Sequence, residues 1–261
     1  MTGKYGLKAF SLIILFIWVA LPALAQQDRY EEQDVSVSPK AQTQFDKGER
    51  LAKNQRFDEA IAAYRQALRF QPDYVRAYHQ MGLAYARVNR YPEAVKAFQE
   101  AARLQPQAGL VYENLGVAYV KMGRWQQARE AFQKAIRLHP DNAAAHYNLG
   151  LASGRLGRHQ EARAQFAEAL RLQPDMAKAH INLGLAYLNL GLLDKAGKSL
   201  MEAVRLEPQD AQARYALCVY FAKKGDAQGA AREFQALQKL DPNLAQKLSQ
   251  LMRPGTPGRK P

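Results

Sequence analysis

The chain reads as all-α, a solenoid of six 34-residue helix-turn-helix repeats, and three observations carry that reading. Pro72, Pro106, Pro140, Pro174, Pro208 and Pro242 stand 34 residues apart with no insertion or deletion between them. On the same period glycine recurs at Gly48, Gly82, Gly116, Gly150 and Gly184, and alanine at Ala60, Ala94, Ala128, Ala162, Ala196 and Ala230. Large apolar residues keep step with them at Tyr64, Phe98, Phe132, Phe166, Leu200 and Phe234. A fixed period of this length marks an architecture in which each unit buries its apolar face against its neighbours.

Ending each unit two residues after its proline sets the repeats at 41–74, 75–108, 109–142, 143–176, 177–210 and 211–244. Position 8 is then glycine in five copies and Cys218 in the sixth, position 20 is alanine throughout, and position 24 is large and apolar. Small residues there let two helices approach closely, and the large side chain fills the space opposite. A first helix is expected to run to about position 14, where Gly123, Gly157, Gly191 and Gly225 provide stops at position 15. A second helix follows to about position 30, closed by the proline two residues later. Arg69, Arg103, Arg137, Arg171, Arg205 and Lys239 at position 29 sit where they oppose the negative end of that helix.

The flanks differ in kind. Lys4 and Lys8 precede an apolar run from Ala9 to Leu21 that ends in Pro22 and Ala23-Leu24-Ala25, the pattern of a signal peptide over 1–25. An uncleaved anchor is the rival reading, but the run is shorter than the ~20 residues that span a bilayer and Pro22 interrupts its end. The chain is therefore expected to be exported, to a bacterial periplasm first, and to be secreted or membrane-anchored otherwise. No cysteine follows the cleavage site to take a lipid. Residues 26–40 are polar and acid-leaning without a helical period and are expected to be a disordered linker. Residues 245–252 suit a short amphipathic capping helix, and 253–261, with Pro254, Gly255, Pro257 and Gly258, a disordered basic tail.

Composition narrows the function classes. With 48% hydrophobic and 23% charged residues among 261, the chain is that of a folded, water-soluble protein. Its net charge of +13, two of which leave with Lys4 and Lys8, suits an acidic partner or an anionic surface. Nucleic acid is not expected as a partner, because the excess is spread over the repeats and export removes the chain from most of it. The single cysteine, Cys218, excludes an internal disulfide and falls at a small-residue packing position.

The residues at positions 7, 8, 11, 20, 24, 27 and 32 resemble the tetratricopeptide repeat over residues 41–244. The resemblance implies a right-handed superhelix in which the first helices line a concave face, with positions 2, 5, 6, 9, 12 and 13 as the ligand surface. It also implies a generic binding scaffold rather than one activity.

Two rows stand out on that surface. Gln80, Asn114, Asn148 and Asn182 occupy position 6 of four consecutive repeats, and each asparagine is followed by Leu-Gly. A side-chain amide both donates and accepts, so a ladder of them can pair with the backbone of an extended peptide. The repeats are similar in this to those of O-linked N-acetylglucosamine transferase, including the His-Xaa-Asn-Leu-Gly phrase at His146 and His180, though no room remains for a transferase domain. The alternative is asparagine solvated on an open face. At position 13, Lys53, Arg87, Lys121, Arg155 and Lys223 form a basic row broken by Asn189. It either answers the first-helix dipole or makes an electropositive groove edge that selects acidic ligands. Chaperone-binding relatives need Asn at position 9, where this chain has Glu49, Leu83, Val117, Leu151, Leu185 and Val219, so that clamp is not expected.

No glycine-rich phosphate loop, nucleophile elbow or zinc-type spacing appears. Of the histidines His79, His139, His146, His159 and His180, the pair His146 and His180 recurs at position 4 and reads as packing rather than as metal ligands. The expectation is a non-enzymatic, cofactor-free and metal-free scaffold for an extended, acidic segment of an envelope or secreted protein. Its rivals are a self-associating, homo-oligomeric or membrane-attached structural protein, with membrane contact only through an uncleaved N-terminal segment, and a targeting subunit of a separately encoded enzyme.

Overall fold

The computed structural model describes residues 37–252, and these carry thirteen helices and no strand. The expected signal peptide, the linker up to residue 36 and the basic tail lie outside the described residues. In chain order the helices are α1 (Pro39–Lys53), α2 (Phe57–Phe70), α3 (Val75–Arg87), α4 (Tyr91–Leu104), α5 (Gly109–Lys121), α6 (Trp125–Leu138) and α7 (Ala143–Arg155), followed by α8 (His159–Leu172), α9 (Ala177–Asn189), α10 (Leu193–Leu206), α11 (Ala211–Lys224), α12 (Ala227–Leu240) and α13 (Pro242–Met252). They form an all-α repeat fold in two compact units, one up to residue 152 and one from 153.

Each repeat is a helix pair held by the contact its small residues permit. A Cβ added at Gly48 would lie 2.5 Å from the Tyr64 ring, at Gly82 2.6 Å from Phe98, and at Gly116 2.6 Å from Phe132. In the second unit the same addition at Gly184 would lie 2.5 Å from Leu200. Position 8 is thus the hole for the position-24 knob. Where Cys218 replaces glycine the thiol is buried and reaches the Ala230 carbonyl, and Phe234 opposite is only half-buried. Burial pushes the Cys218 thiol up to about 11, which keeps it protonated and inert.

The turn inside each pair is built the same way six times. Position 15 has positive φ in every copy: Gln55 at 60°, Asn89 at 60°, and Gly123, Gly157, Gly191 and Gly225 at 70–81°. The N–H of position 16 then returns to the carbonyl of position 11, as in Arg56 to Leu51 and Arg124 to Tyr119, both at 2.9 Å. Glycine takes this conformation without strain, whereas Gln55 and Asn89 do so against their Cβ atoms.

The ends fit their chemistry. The first helix starts at Pro39, two residues before the repeat grid, because Ser38 caps it by accepting from the Ala41 N–H and proline suits a first turn. At the other end α13 takes in Pro242, Asn243 and Leu244 as well as the expected cap. Asp241 caps it through the Leu244 N–H at 2.9 Å, and Leu244, Ala245 and Leu248 bury against α11 and α12.

Replacing Gly116 with alanine should therefore cost about 1–3 kcal/mol in chemical unfolding, since the Phe132 ring must move. Gln55→Gly should stabilise by roughly 0.5–1 kcal/mol by relieving a left-handed residue.

Candidate functional site

In the first unit a cleft of about 220 Å³ opens over α3, α4 and α5. Leu83, Ala86, Val117, Ala118 and the Phe98 ring make it apolar, Tyr91 stands at its edge, and Asn114, Arg87 and Lys121 bring polar groups to it. Arg87 and Lys121 end α3 and α5 and are exposed, so their apolar stems can line the cleft while the charges stay in water. Neither forms an ion pair among the described residues.

Three of the residues singled out by sequence, Arg87, Asn114 and Lys121, thus meet in one place. Lys53 is exposed in the last turn of α1, and Gln80 and Asn148 are half-buried on α3 and α7. Arg155 and Asn182 fall in the second unit. The asparagines are not equivalent. Asn114 is 8% exposed, and its Nδ2 lies 2.9 Å from His79 Nε2 on the preceding repeat. Asn182 donates instead to the Lys178 carbonyl of its own helix at 2.9 Å.

Among the residues that sequence passed over, His79 matters most. It is 6% exposed, its ring centroid lies 5.8 Å from that of Phe98, and burial holds its pKa down to about 4. Its signal was positional: position 5 of one repeat neighbours position 6 of the next. Beside Asn114, Glu113 is also buried, accepts from Asn142 Nδ2 at 2.7 Å, and has its carboxyl raised by burial.

Position 4 has a structural task. The Nε2 atoms of His146 and His180 lie 3.0 Å from the carbonyls of Pro140 and Pro174, and Arg214 donates to the Pro208 carbonyl at 3.1 and 3.2 Å. Each ties the first turn of a repeat to the proline that closes the one before. No cluster of three or more His, Cys, Asp or Glu suited to a metal occurs among the described residues. No helix among them is long and apolar enough to cross a membrane.

Comparison with known proteins places the chain. The family model described as the C-terminal domain of cilia and flagella-associated protein 70, a tetratricopeptide-repeat domain, matches residues 19–250, and the chain belongs to that family. A search of curated proteins gives no match. Among solved structures, MamA is 28% identical, with a TM-score of 0.62 over 66% of this chain and 94% of that one. YrrB, described as a TPR protein with an unusual peptide-binding site, is 23% identical with a TM-score of 0.63, covering 72% of this chain and 98% of that one. PilW, described as a widely conserved type IV pilus biogenesis factor, is 20% identical with a TM-score of 0.68, covering 81% and 99%. The last two likenesses speak to the fold.

His79 gives the site a pH signature. Its folded pKa lies below the unfolded 6.5, so the stability it contributes is complete above pH 6.5 and is lost as pH falls towards about 4. Glu113, raised by burial, acts in the opposite sense. Urea midpoints between pH 7 and 4 should fall less steeply for His79→Gln than for the native chain.

Proposed function

We propose that this tetratricopeptide-repeat chain is a non-catalytic scaffold whose first-unit cleft holds an extended, acidic segment of another protein, and that it serves assembly in the cell envelope. The observation that carries the reading is the cleft itself: an apolar floor for side chains, a buried amide for the main chain and two cations at the rim that form no ion pair among the described residues. Apolar walls with a few placed polar groups are what a ligand site needs. Lys53 on the repeat before it, Gln80 on α3 beside it and Asn148 on the repeat after offer the same chemistry for a longer segment. Arg155 and Asn182 repeat it in the second unit.

The envelope part of the reading draws on the signal-like N-terminus and on fold neighbours whose descriptions mention peptide binding and pilus biogenesis. Family members of this fold act in general as protein-interaction scaffolds, and the sequence shows no nucleophile elbow, phosphate loop or metal-type spacing that would point to catalysis instead.

Selection of a displayed library of 12-residue peptides on the native chain tests this. Recovered peptides should be enriched in Asp and Glu next to apolar residues, and should bind more weakly as salt rises. Arg87→Glu and Lys121→Glu should each weaken them by roughly three- to tenfold. Recovery of no peptide, or of peptides indifferent to both reversals, would remove the cleft as the binding site.

A further inference from the structure

Asn114 faces two ways. Its amide nitrogen carries hydrogens and no free lone pair, so at 2.9 Å from His79 Nε2 it donates and the imidazole accepts. That fixes the neutral ring with its proton on Nδ1. The Asn114 side chain also lines the cleft, and its oxygen is not among the buried polar atoms that lack a partner. With the nitrogen turned inward, the oxygen is the atom left for a ligand. His79 is itself packed behind the cleft, against the Phe98 ring that floors it.

We infer that His79 is a positioning residue for the cleft: it holds the Asn114 amide nitrogen-inward, so that the groove presents a fixed acceptor to a main-chain N–H of an extended, acidic peptide. The inference deepens the groove reading above and rests on it. An amide without such a partner rotates between two orientations that differ little in energy and offers a donor as readily as an acceptor. The arrangement needs His at position 5 of one repeat and Asn at position 6 of the next, and the sequence supplies that pair once. Asn148 follows Glu113, which is tied to Asn142, and Asn182 is turned onto its own helix. The fixed acceptor thus belongs to the second and third repeats, where Arg87 and Lys121 flank the same cleft.

Two measurements test it. Long-range ¹H–¹⁵N spectra of the full chain read the His79 tautomer directly; a proton on Nδ1 is expected, and a proton on Nε2 would overturn the proposal whether or not any peptide binds. Binding is then followed with a fluorescein-labelled peptide from the native selection and with copies N-methylated at one residue at a time. One N-methyl position should cost the native chain about fivefold, the worth of one hydrogen bond, and cost nothing in Asn114→Ala. His79→Leu should erase the same penalty, and His79→Gln, which can still accept, should keep it. An N-methyl penalty undiminished in His79→Leu refutes the positioning role while the groove reading stands. Should His79→Leu fail to fold, the tautomer and the Asn114→Ala series still decide. If the native chain selects no peptide, both readings fall together.

Discussion

The helix pairs of four repeats depend on a glycine backbone lying against a ring or branched side chain. At Gly48, Gly82, Gly116 and Gly184 even one methyl group would come within 2.5–2.6 Å of its partner. That contact fixes how the first helix is rotated, and rotation decides what remains for a ligand. At about 100° per residue, positions 6, 9 and 13 lie within about 60° of one another and about 100–160° away from position 8. The face that cannot be buried in the pair is therefore the one carrying Asn114, Leu83, Val117, Arg87 and Lys121. Position 5 falls between the two faces, about 60° from the glycine. This is why His79 is buried and yet touches the cleft from behind.

Charge follows the same geometry. On the second helices the position-29 arginines of three repeats have glutamates one turn back: Arg103 with Glu100 at 3.0 Å, Arg171 with Glu168 at 2.7 Å, and Arg205 with Glu202 at 2.6 Å. These exposed pairs add little stability, but each neutralises its own cation locally. Arg87 and Lys121 have no such partners among the described residues.

The repeat grid, the helix pairs and the position-15 turns were legible because they follow from a strict period and from residue types with one strong preference. Gln55 and Asn89 adopt the glycine conformation at position 15 without being glycine, so there the register carries the information and the residue type does not. Positions 6 and 13 were legible as a face. What could not be read was which amide is committed. Asn114, Asn148 and Asn182 share the same Asn-Leu-Gly, and what sets Asn114 apart is His79 at position 5 of the preceding repeat, 35 residues away. The bonds to the repeat-closing prolines were hidden for another reason: His146, His180 and Arg214 do one job with two residue types.

The division of labour in the cleft bears on how selective such a scaffold can be. Its rigid element is the Asn114 amide, held by a buried ring, and a main-chain N–H is common to every residue except proline. Its side-chain readers are two long cations on exposed helix ends, which lose rotamer freedom on binding and are screened by salt. Rigid recognition is thus spent on what all peptides share, and flexible recognition on what distinguishes them. Under the proposed function such a site would discriminate by charge and by the spacing of apolar side chains rather than by exact sequence. Under that same function, specificity would grow with length, since the repeats of the first unit set Gln80, Asn114 and Asn148 at position 6 and Lys53, Arg87 and Lys121 at position 13.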